Sequence, residues 1–166
     1  MLNLNLDLRY KKWLILGGGT VASRRVKKIL DEGGEVQLIS PEVTKIIAKL
    51  GSQNKRIKIV IRKFRKSDIK KQDFILACTN DAEVNKRIVS IAKQKKILVS
   101  NASDKEDNDF SFTSNININK DVQVNLSTNG KNPSLSKTLR VFIERKLKAE
   151  ISSLSRIQNK KIKGKS

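Results

Sequence analysis

The chain has 166 residues, 37% of them hydrophobic and 31% charged, which suffices for one folded domain with at most a small appendage. Its net charge of +20 indicates an anionic partner, either a nucleic acid or a small molecule with several carboxylates, although a biased composition that scatters lysines through every segment explains the charge equally well. The lack of histidine and the single cysteine exclude histidine acid–base catalysis, an internal disulfide and a multi-cysteine metal site, and we predict no protein metal site.

Two further classes of partner are disfavoured. Aromatic residues make up 4% of the chain, too few for a base-stacking platform, so we expect no nucleic-acid partner. The sequence shows no secretory signal and no apolar run of transmembrane length. We therefore expect a soluble, cytoplasmic protein with no membrane partner.

The predicted elements begin at Leu2 to Leu8, where leucines alternate with polar residues and predict a half-buried strand. Next come four apolar residues, Trp13 to Leu16, followed by three glycines, a pattern typical of a buried strand that enters a tight turn. From Val21 the apolar residues recur at helical spacing until Gly33-Gly34 ends the helix. Strand, glycine turn and helix follow in the order that a dinucleotide-binding unit requires.

The glycine turn matches the pattern G-x-G-x-x-G/A at Gly17, Gly19 and Ala22. In such a unit Gly17 permits the turn, Gly19 lets the backbone approach a pyrophosphate, and Ala22 lets the helix pack closely on the sheet. The free amides of the first helical turn favour the phosphate charge. The predicted cofactor-binding residues of this turn are Gly17, Gly18, Gly19, Thr20 and Val21; a glycine-rich turn without a nucleotide is the alternative.

The second strand, Val36 to Ile39, completes one βαβ crossover. At its end, where an acidic residue usually holds the ribose hydroxyls, the chain has Ser40 and Pro41, with Glu42 close behind. Ser40 is able to hydrogen-bond a ribose, and no arginine or lysine follows directly to accept a 2′-phosphate, so NAD is favoured over NADP. We include Ser40, Pro41 and Glu42 among the cofactor contacts.

Periodicity predicts the remaining elements of the sheet. They are a helix over Glu42–Leu50 closed by Gly51-Ser52, a strand over Ile57–Ile61, a basic loop with a turn of helix over Arg62–Lys71, a central strand over Phe74–Cys78, a helix over Ala82–Lys95 and a strand over Ile97–Ser100. Cys78 ends the central strand, and we interpret it as structural rather than as a nucleophile.

Polar residues follow two of these strands. Thr79 and Asn80 follow the central strand, and Asn101 to Asp104 follow the last one. Because ligands of open parallel sheets bind beyond the carboxyl ends of the strands, we expect Thr79, Asn80 and Asn101 to contact the cofactor. Asp81 is interpreted mainly as the N-cap of the next helix.

Beyond residue 112 the pattern changes to two period-two strands, a polar turn and a helix over Ser134–Lys148. We predict an α/β fold class, with a Rossmann-like parallel sheet and helices on both faces, followed by a small strand-plus-helix segment. The predicted regions are residues 1–112, a nucleotide-binding domain, residues 113–150, which hold two strands and the helix, and residues 151–166, a basic tail.

Four motifs occur in a specific order along the chain: Gly17–Arg25, Thr79-Asn80-Asp81 with Asn85, Asn101–Asp104 before Phe110, and Ser127–Leu135 with Arg140. Together they resemble the precorrin-2 dehydrogenase family, which is also the N-terminal module of siroheme synthase. The resemblance covers residues 4–148. It implies NAD-dependent oxidation of the tetrapyrrole precorrin-2 to sirohydrochlorin in siroheme biosynthesis, and in some members ferrochelation with ferrous ion as substrate.

The resemblance also implies roles for single residues and a homodimer built by segment 113–150. Asp104 matches the aspartate that the family uses for its chemistry, and we predict it to be the catalytic residue, as general base or as the group that orients the pyrrole nitrogens. The alternative for Asp104 is a turn residue in an acidic loop. The predicted substrate-binding residues are Ser127, Thr128, Asn129 and Arg140, although a plain hairpin turn explains the first three nearly as well.

Two other classes of function compete with an enzyme. A non-enzymatic nucleotide-sensing regulatory module opens with the same strand and glycine turn, but such modules keep an acid at the end of the second strand, where this chain has Ser40-Pro41. A nucleic-acid-binding protein is suggested by charge alone, and it would bind DNA with a steep salt dependence and no effect of NAD.

Overall fold

A computed structural model of the chain describes residues 4–104, 106–117, 122–128, 132, 134–147 and 150. The described residues fall into two compact units, a first unit that runs through Ser111 and a second that begins at Phe112. The predicted basic tail, residues 151–166, lies outside the described residues.

The first unit is built on a parallel sheet of five strands in the order β3-β2-β1-β4-β5. The strands are β1 Lys12–Leu16, β2 Glu35–Ser40, β3 Ile57–Ile61, β4 Phe74–Ala77 and β5 Leu98–Asn101, and the helices are α1 Thr20–Asp31, α2 Lys45–Gln53 and α3 Ala82–Gln94. The direction of winding reverses between β1 and β4, so a topological switch point lies beside the glycine turn. The predicted α/β, Rossmann-like fold class is confirmed.

Helices cover both faces of the sheet. Val60 of β3 packs in one core with α3, whereas Gly51 of α2 lies against Ile59, whose side chain points to the other face. Because α1 contacts α2, those two helices share that second face. The apolar run of β1 is buried from Trp13 to Leu16, as expected for a central strand covered on both sides.

The start of α2 differs from the prediction. The helix begins after Thr44, whose Oγ1 accepts a hydrogen bond from the Ile47 amide, and not at Glu42. It also continues past Gly51, which was expected to end it. A Cβ at Gly51 would lie 2.4 Å from Ile59 Cδ1, so glycine serves there to let the helix pack closely on β3.

The strand predicted over Leu2–Leu8 is wrong for its described part. Residues 4–8 form no strand, and the side chains of Leu4 and Leu6 are exposed by 78% and 54%. Alternation makes a strand only where a partner strand offers its free backbone groups. Here the chain turns locally instead, and the Asp7 carboxylate accepts hydrogen bonds from the backbone and the guanidinium of Arg9. Residues 1–3 lie outside the described residues.

The second unit contains the predicted antiparallel pair, β6 Ser114–Asn117 and β7 Gln123–Leu126, with Ser114 opposite Leu126. A further helix, α4, covers residues 134–147 and agrees with the prediction up to that point. Its first turn is capped by Asn132, whose Oδ1 accepts a hydrogen bond from the Leu135 amide. Within the described parts of both units, no helix is long and apolar enough to cross a membrane.

Candidate active site

The predicted cofactor residues of the first unit follow the carboxyl ends of β1, β2, β4 and β5, which meet at the same edge of the sheet. We call this edge the rim and define it as residues 17–20, 40–42, 79–81 and 101–104. The parallel pairing places Leu16 beside Ile39 on one side and Ala77 on the other, and Ala77 beside Asn101. The rim is therefore continuous across the switch point.

The glycine turn is fixed by close backbone contacts at its first position. Gly17 has φ +116°, a left-handed conformation, and its amide donates to the Ile39 carbonyl at 3.0 Å. A Cβ at Gly17 would lie 2.3 Å from the carbonyl oxygen of Cys78. Only glycine fits between β1 and β4 at this point.

The next two glycines differ in their surroundings. A Cβ at Gly18 would lie 2.1 Å from the Glu42 carbonyl oxygen, so residue 18 is packed under the loop that follows β2. A Cβ at Gly19, the N-cap of α1, would meet no heavy atom within 4 Å. No acidic residue lies in the first turn of α1, so nothing there offsets the positive end of the helix dipole. The open surroundings of Gly19 and this positive helix start are what a pyrophosphate requires.

Hydrogen bonds tie the glycine turn to the start of α2. The Thr44 amide donates to the Gly18 carbonyl at 3.1 Å, and Thr44 Oγ1 lies 2.6 Å from the hydroxyl of buried Ser23 in α1. Ser23 Oγ also donates to the Gly19 carbonyl at 3.0 Å. The shape of the turn is therefore set before any ligand binds.

The end of β2 holds Ser40, which is buried, and Pro41 and Glu42, which are exposed. The fold adds a neighbour that inspection of the sequence missed, because it belongs to the next strand: the Arg62 amide donates to the Ser40 carbonyl at 3.1 Å. The Arg62 guanidinium forms a two-point ion pair with Asp68, with Nη2–Oδ1 2.6 Å and Nη1–Oδ2 2.8 Å. The hydrogen bond from Arg62 lowers the pKa of the Asp68 carboxyl, and the same contact raises the pKa of Arg62.

A hydrogen-bond network links the ends of β4 and β5 through Asn85 of α3. The Asn85 side chain is fully buried. Asn85 Oδ1 accepts from the amide and the hydroxyl of Thr79, and Asn85 Nδ2 donates to the Thr79 carbonyl and to Ser103 Oγ. Ser103 Oγ and the Ser103 amide then donate to Asn101 Oδ1 at 2.7 and 3.0 Å. The sequence placed Asn85 in a motif but gave no signal of this role.

The network leaves one donor without a partner. Because the Ser103 amide must donate, it fixes which end of the Asn101 side chain is the oxygen. Asn101 is 2% exposed, and among the described residues its Nδ2 atom has no hydrogen-bond acceptor. An orphaned donor at the carboxyl end of β5 fits a ligand group that accepts hydrogen bonds.

Asp104 follows the last residue of this network, Ser103, and lies at the rim. Its side chain is exposed, and Oδ1 accepts a hydrogen bond from the Glu106 amide at 3.0 Å. This is the turn contact that the alternative interpretation of Asp104 expected. Lys86 of α3 is near enough that its pKa, raised mainly by Glu83, is raised further by Asp104. Since the Asn101–Ser103 bonds hold the backbone before it, Asp104 sits on a fixed base.

Two other residues of the β4 end behave as predicted. Asp81 Oδ1 accepts from the amides of Glu83 and Val84, which confirms it as the N-cap of α3. Cys78 is buried, and burial raises the pKa of its thiol to about 12, so the thiol stays protonated at neutral pH. Asn80 is exposed at the rim.

The predicted substrate residues belong to the second unit. Thr128 Oγ1 donates to the Asn132 carbonyl at 3.1 Å and lies 2.9 Å from Ser136 Oγ, which closes the turn onto α4. Arg140 lies 3.8 Å from Glu144 in an i,i+4 ion pair, and Ser127 is exposed. Asn129 lies outside the described residues. In the part of the chain that the structure describes, no group of three or more Cys, Asp or Glu residues is arranged to hold a metal ion.

The chain is similar to known NAD(P)-binding proteins. The model of a family of NAD(P)-binding domains matches residues 4–114. The precorrin-2 dehydrogenase of Bacillus subtilis is 34% identical over 165 residues, which cover 97% of this chain and 100% of that protein. The siroheme synthase of Vesicomyosocius okutanii subsp. Calyptogena okutanii is 32% identical over 139 residues, which cover 84% of this chain but 29% of that longer protein.

A solved structure is also similar to this chain. SirC, a precorrin-2 dehydrogenase, superposes on the chain with a TM-score of 0.77 and 28% sequence identity, over 87% of this chain and 70% of that one. The family model spans well over half of the chain, and the match to the Bacillus relative covers 97% of it. The chain therefore belongs to the precorrin-2 dehydrogenase family, whose NAD(P)-binding domain is also the N-terminal module of siroheme synthase.

Proposed function

We propose that the protein uses NAD to oxidise precorrin-2 to sirohydrochlorin, with Asp104 as its catalytic residue. As a member of this family it is a precorrin-2 dehydrogenase, an NAD(P)-dependent oxidoreductase of siroheme biosynthesis. The observation that carries the proposal is the open space at Gly19, beside the switch point of the sheet. Family membership favours this enzyme over a nucleotide-sensing module or a nucleic-acid-binding protein.

Different residues of the rim would bind different parts of the dinucleotide. Backbone amides of Gly19, Thr20 and Val21 would hold the pyrophosphate at the start of α1. Ser40 at the end of β2 would hydrogen-bond the adenosine ribose, which favours NAD. Asn101 Nδ2, an orphaned donor, would serve an acceptor on the other half of the cofactor. Thr79 and Asn80 line the rim between these two places.

The chemistry needs few protein groups. Bound NAD supplies the acceptor for a hydride that leaves a ring carbon of the substrate. The substrate also loses a proton, so the protein must supply orientation and one proton acceptor. Asp104 meets that need without a histidine, because its carboxylate is exposed while its backbone is tied to β5.

The basic surface would bind the carboxylates of the substrate. A net charge of +20 attracts an anionic macrocycle, and charge-assisted hydrogen bonds from side chains such as Arg140 would bind its carboxylates. Ser127 and Thr128 would contribute polar contacts from the turn before α4. We also propose that the second unit forms a homodimer, since Leu139, Val141 and Phe142 of α4 are exposed.

The test is turnover of precorrin-2 with NAD, followed by NADH formation and by the spectrum of sirohydrochlorin. Asp104→Asn should lower kcat by about 100-fold or more, the usual contribution of a general base, while NAD binds as before. The matched control is Asp107→Asn, because Asp107 lies in the same loop but pairs with Lys93 at 2.5 Å. Absence of NADH formation by the wild type would refute the function, and full turnover by Asp104→Asn would refute the role of Asp104.

A further inference from the structure

We propose that the ion pair between Arg62 and Asp68 makes the nucleotide site select NAD over NADP, by withholding the arginine from the 2′-phosphate. The proposal rests on the proposed function, because it concerns the nucleotide of that same rim. It assigns a role in specificity to two residues that lie outside the glycine turn.

The backbone of Arg62 lies beside the end of β2, the region in which an NADP-binding unit uses an arginine. Ser40 ends β2 and pairs in register with Ile61, and the amide of the next residue, Arg62, donates to the Ser40 carbonyl. In Rossmann-like units the ribose is recognised at the end of β2, and a nearby arginine accommodates the 2′-phosphate of NADP. Judged by position alone, this chain carries such an arginine and lacks the acidic residue typical of NAD sites.

Asp68 changes that conclusion. Its carboxylate binds both terminal nitrogens of the Arg62 guanidinium in a two-point fork, at 2.6 and 2.8 Å. The Arg65 amide donates to the same carboxylate at 2.8 Å, so its position is fixed by the backbone of the loop as well as by Arg62. Asp68 is 8% exposed and ends the short 3-10 helix Lys66–Asp68.

The burial of Asp68 explains why Arg62 stays with it. An Arg62 side chain that turned to a phosphate would leave a buried carboxylate without its counter-charge, which is strongly unfavourable. The guanidinium also donates to the Lys63 carbonyl at 2.9 Å, which further holds it in the loop. The 2′-phosphate of NADP would therefore face an arginine whose charge Asp68 already neutralises. The unphosphorylated ribose of NAD needs no positive charge at this position, only a hydrogen bond from Ser40.

The experiment is calorimetric titration of the full chain with NAD and with NADP, which requires no substrate and no turnover. The wild type should bind NAD more tightly. Asp68→Asn keeps the size of the side chain and releases Arg62, so it should bind NADP about 10-fold more tightly than the wild type, with NAD affinity nearly unchanged. In the double variant Asp68→Asn/Arg62→Gln this gain should disappear.

A control separates this effect from a change in net charge. Glu35 begins β2, the strand that Ser40 ends, so Glu35→Gln removes the same charge at the opposite end of the same strand. That variant should leave the NADP affinity unchanged. A gain in Glu35→Gln, or a gain that persists in the double variant, would overturn the proposal.

Thermal unfolding would show whether Asp68→Asn folds. If it does not, measurements on the wild type still test the proposal. Titration with 5′-AMP and with adenosine 2′,5′-bisphosphate should show tighter binding of 5′-AMP. Equal binding, or a preference for the bisphosphate through the exposed Lys63 and Lys66, would overturn the proposal while leaving the proposed function intact. Binding of neither dinucleotide would instead refute the proposed function itself, and this proposal with it.

Discussion

Gly19→Ala should weaken NAD binding while leaving the fold nearly as stable as the wild type. An added Cβ meets no heavy atom within 4 Å, and the backbone angles of φ −81° and ψ −165° are open to alanine. Alanine is a poorer N-cap than glycine, which costs about 0.5–1 kcal/mol of unfolding free energy. The new methyl group would fill space that we assign to the pyrophosphate. Overpacking of this kind costs about 1–3 kcal/mol, equivalent to about a 5- to 150-fold loss of NAD affinity.

The matched control is Gly17→Ala, in the same turn. Its Cβ would lie 2.3 Å from the carbonyl oxygen of Cys78, the residue after β4, and its φ of +116° is strained for alanine. We expect the unfolding free energy to fall by about 2–4 kcal/mol, which lowers Tm by roughly 4–16 °C. Calorimetric titration with NAD and thermal unfolding without it measure the two effects separately.

The two variants together test the placement of the pyrophosphate. If Gly19→Ala folds normally and binds NAD as tightly as the wild type, the pyrophosphate does not lie at the start of α1. If Gly17→Ala is as stable as Gly19→Ala, the packing of the turn against β4 is not what the contact distances indicate.

Three further predictions concern stability and reactivity. Asn85→Ala leaves the amide and carbonyl of Thr79 without their side-chain partner, so urea denaturation should show a loss of about 2–4 kcal/mol; a loss below about 1 kcal/mol would contradict the network. The pKa of Asp68 is lower in the folded state, so its stabilising effect is present above about pH 4 and is lost as the pH falls below that value. The stability advantage of the wild type over Asp68→Asn should therefore shrink on acidification, as thermal unfolding across a pH series would show, and an advantage that is constant down to pH ~2 would contradict this. Cys78, with a pKa of about 12, should resist iodoacetamide at neutral pH until the protein is denatured.

The order of the elements could be predicted from the sequence because the signals are local. Four apolar residues from Trp13 to Leu16 and the run that begins at Phe74 indicate central strands, and both are buried. The N-cap at Asp81 was also correct, since a cap is formed by residues three positions apart. The predicted roles of Gly51 and of residues 4–8 were wrong, because each depends on whether a distant strand is present as a partner.

Only part of the candidate site could be predicted from the sequence, for the same reason. The glycine turn and the polar residues after β4 and β5 follow their strands directly, so a parallel sheet brings them to one edge. Arg62 reaches Ser40 only through the pairing of β3 with β2, and Asn85 reaches Ser103 only when α3 packs on the sheet. No arginine follows Ser40 directly in the sequence, but in the fold the backbone amide of Arg62 lies beside Ser40, while its guanidinium is bound to Asp68.

The arrangement explains how a chain without histidine can support a dehydrogenation. Hydride transfer needs the two reactants held in one orientation, and rigidity at the rim supplies that condition. The Asn85 network, with all four of its hydrogen bonds made, ties α3 to β4 and to the residue before Asp104. In the proposed mechanism, the Asp104 carboxylate stays exposed to the substrate while hydrogen bonds hold the backbone before it in place.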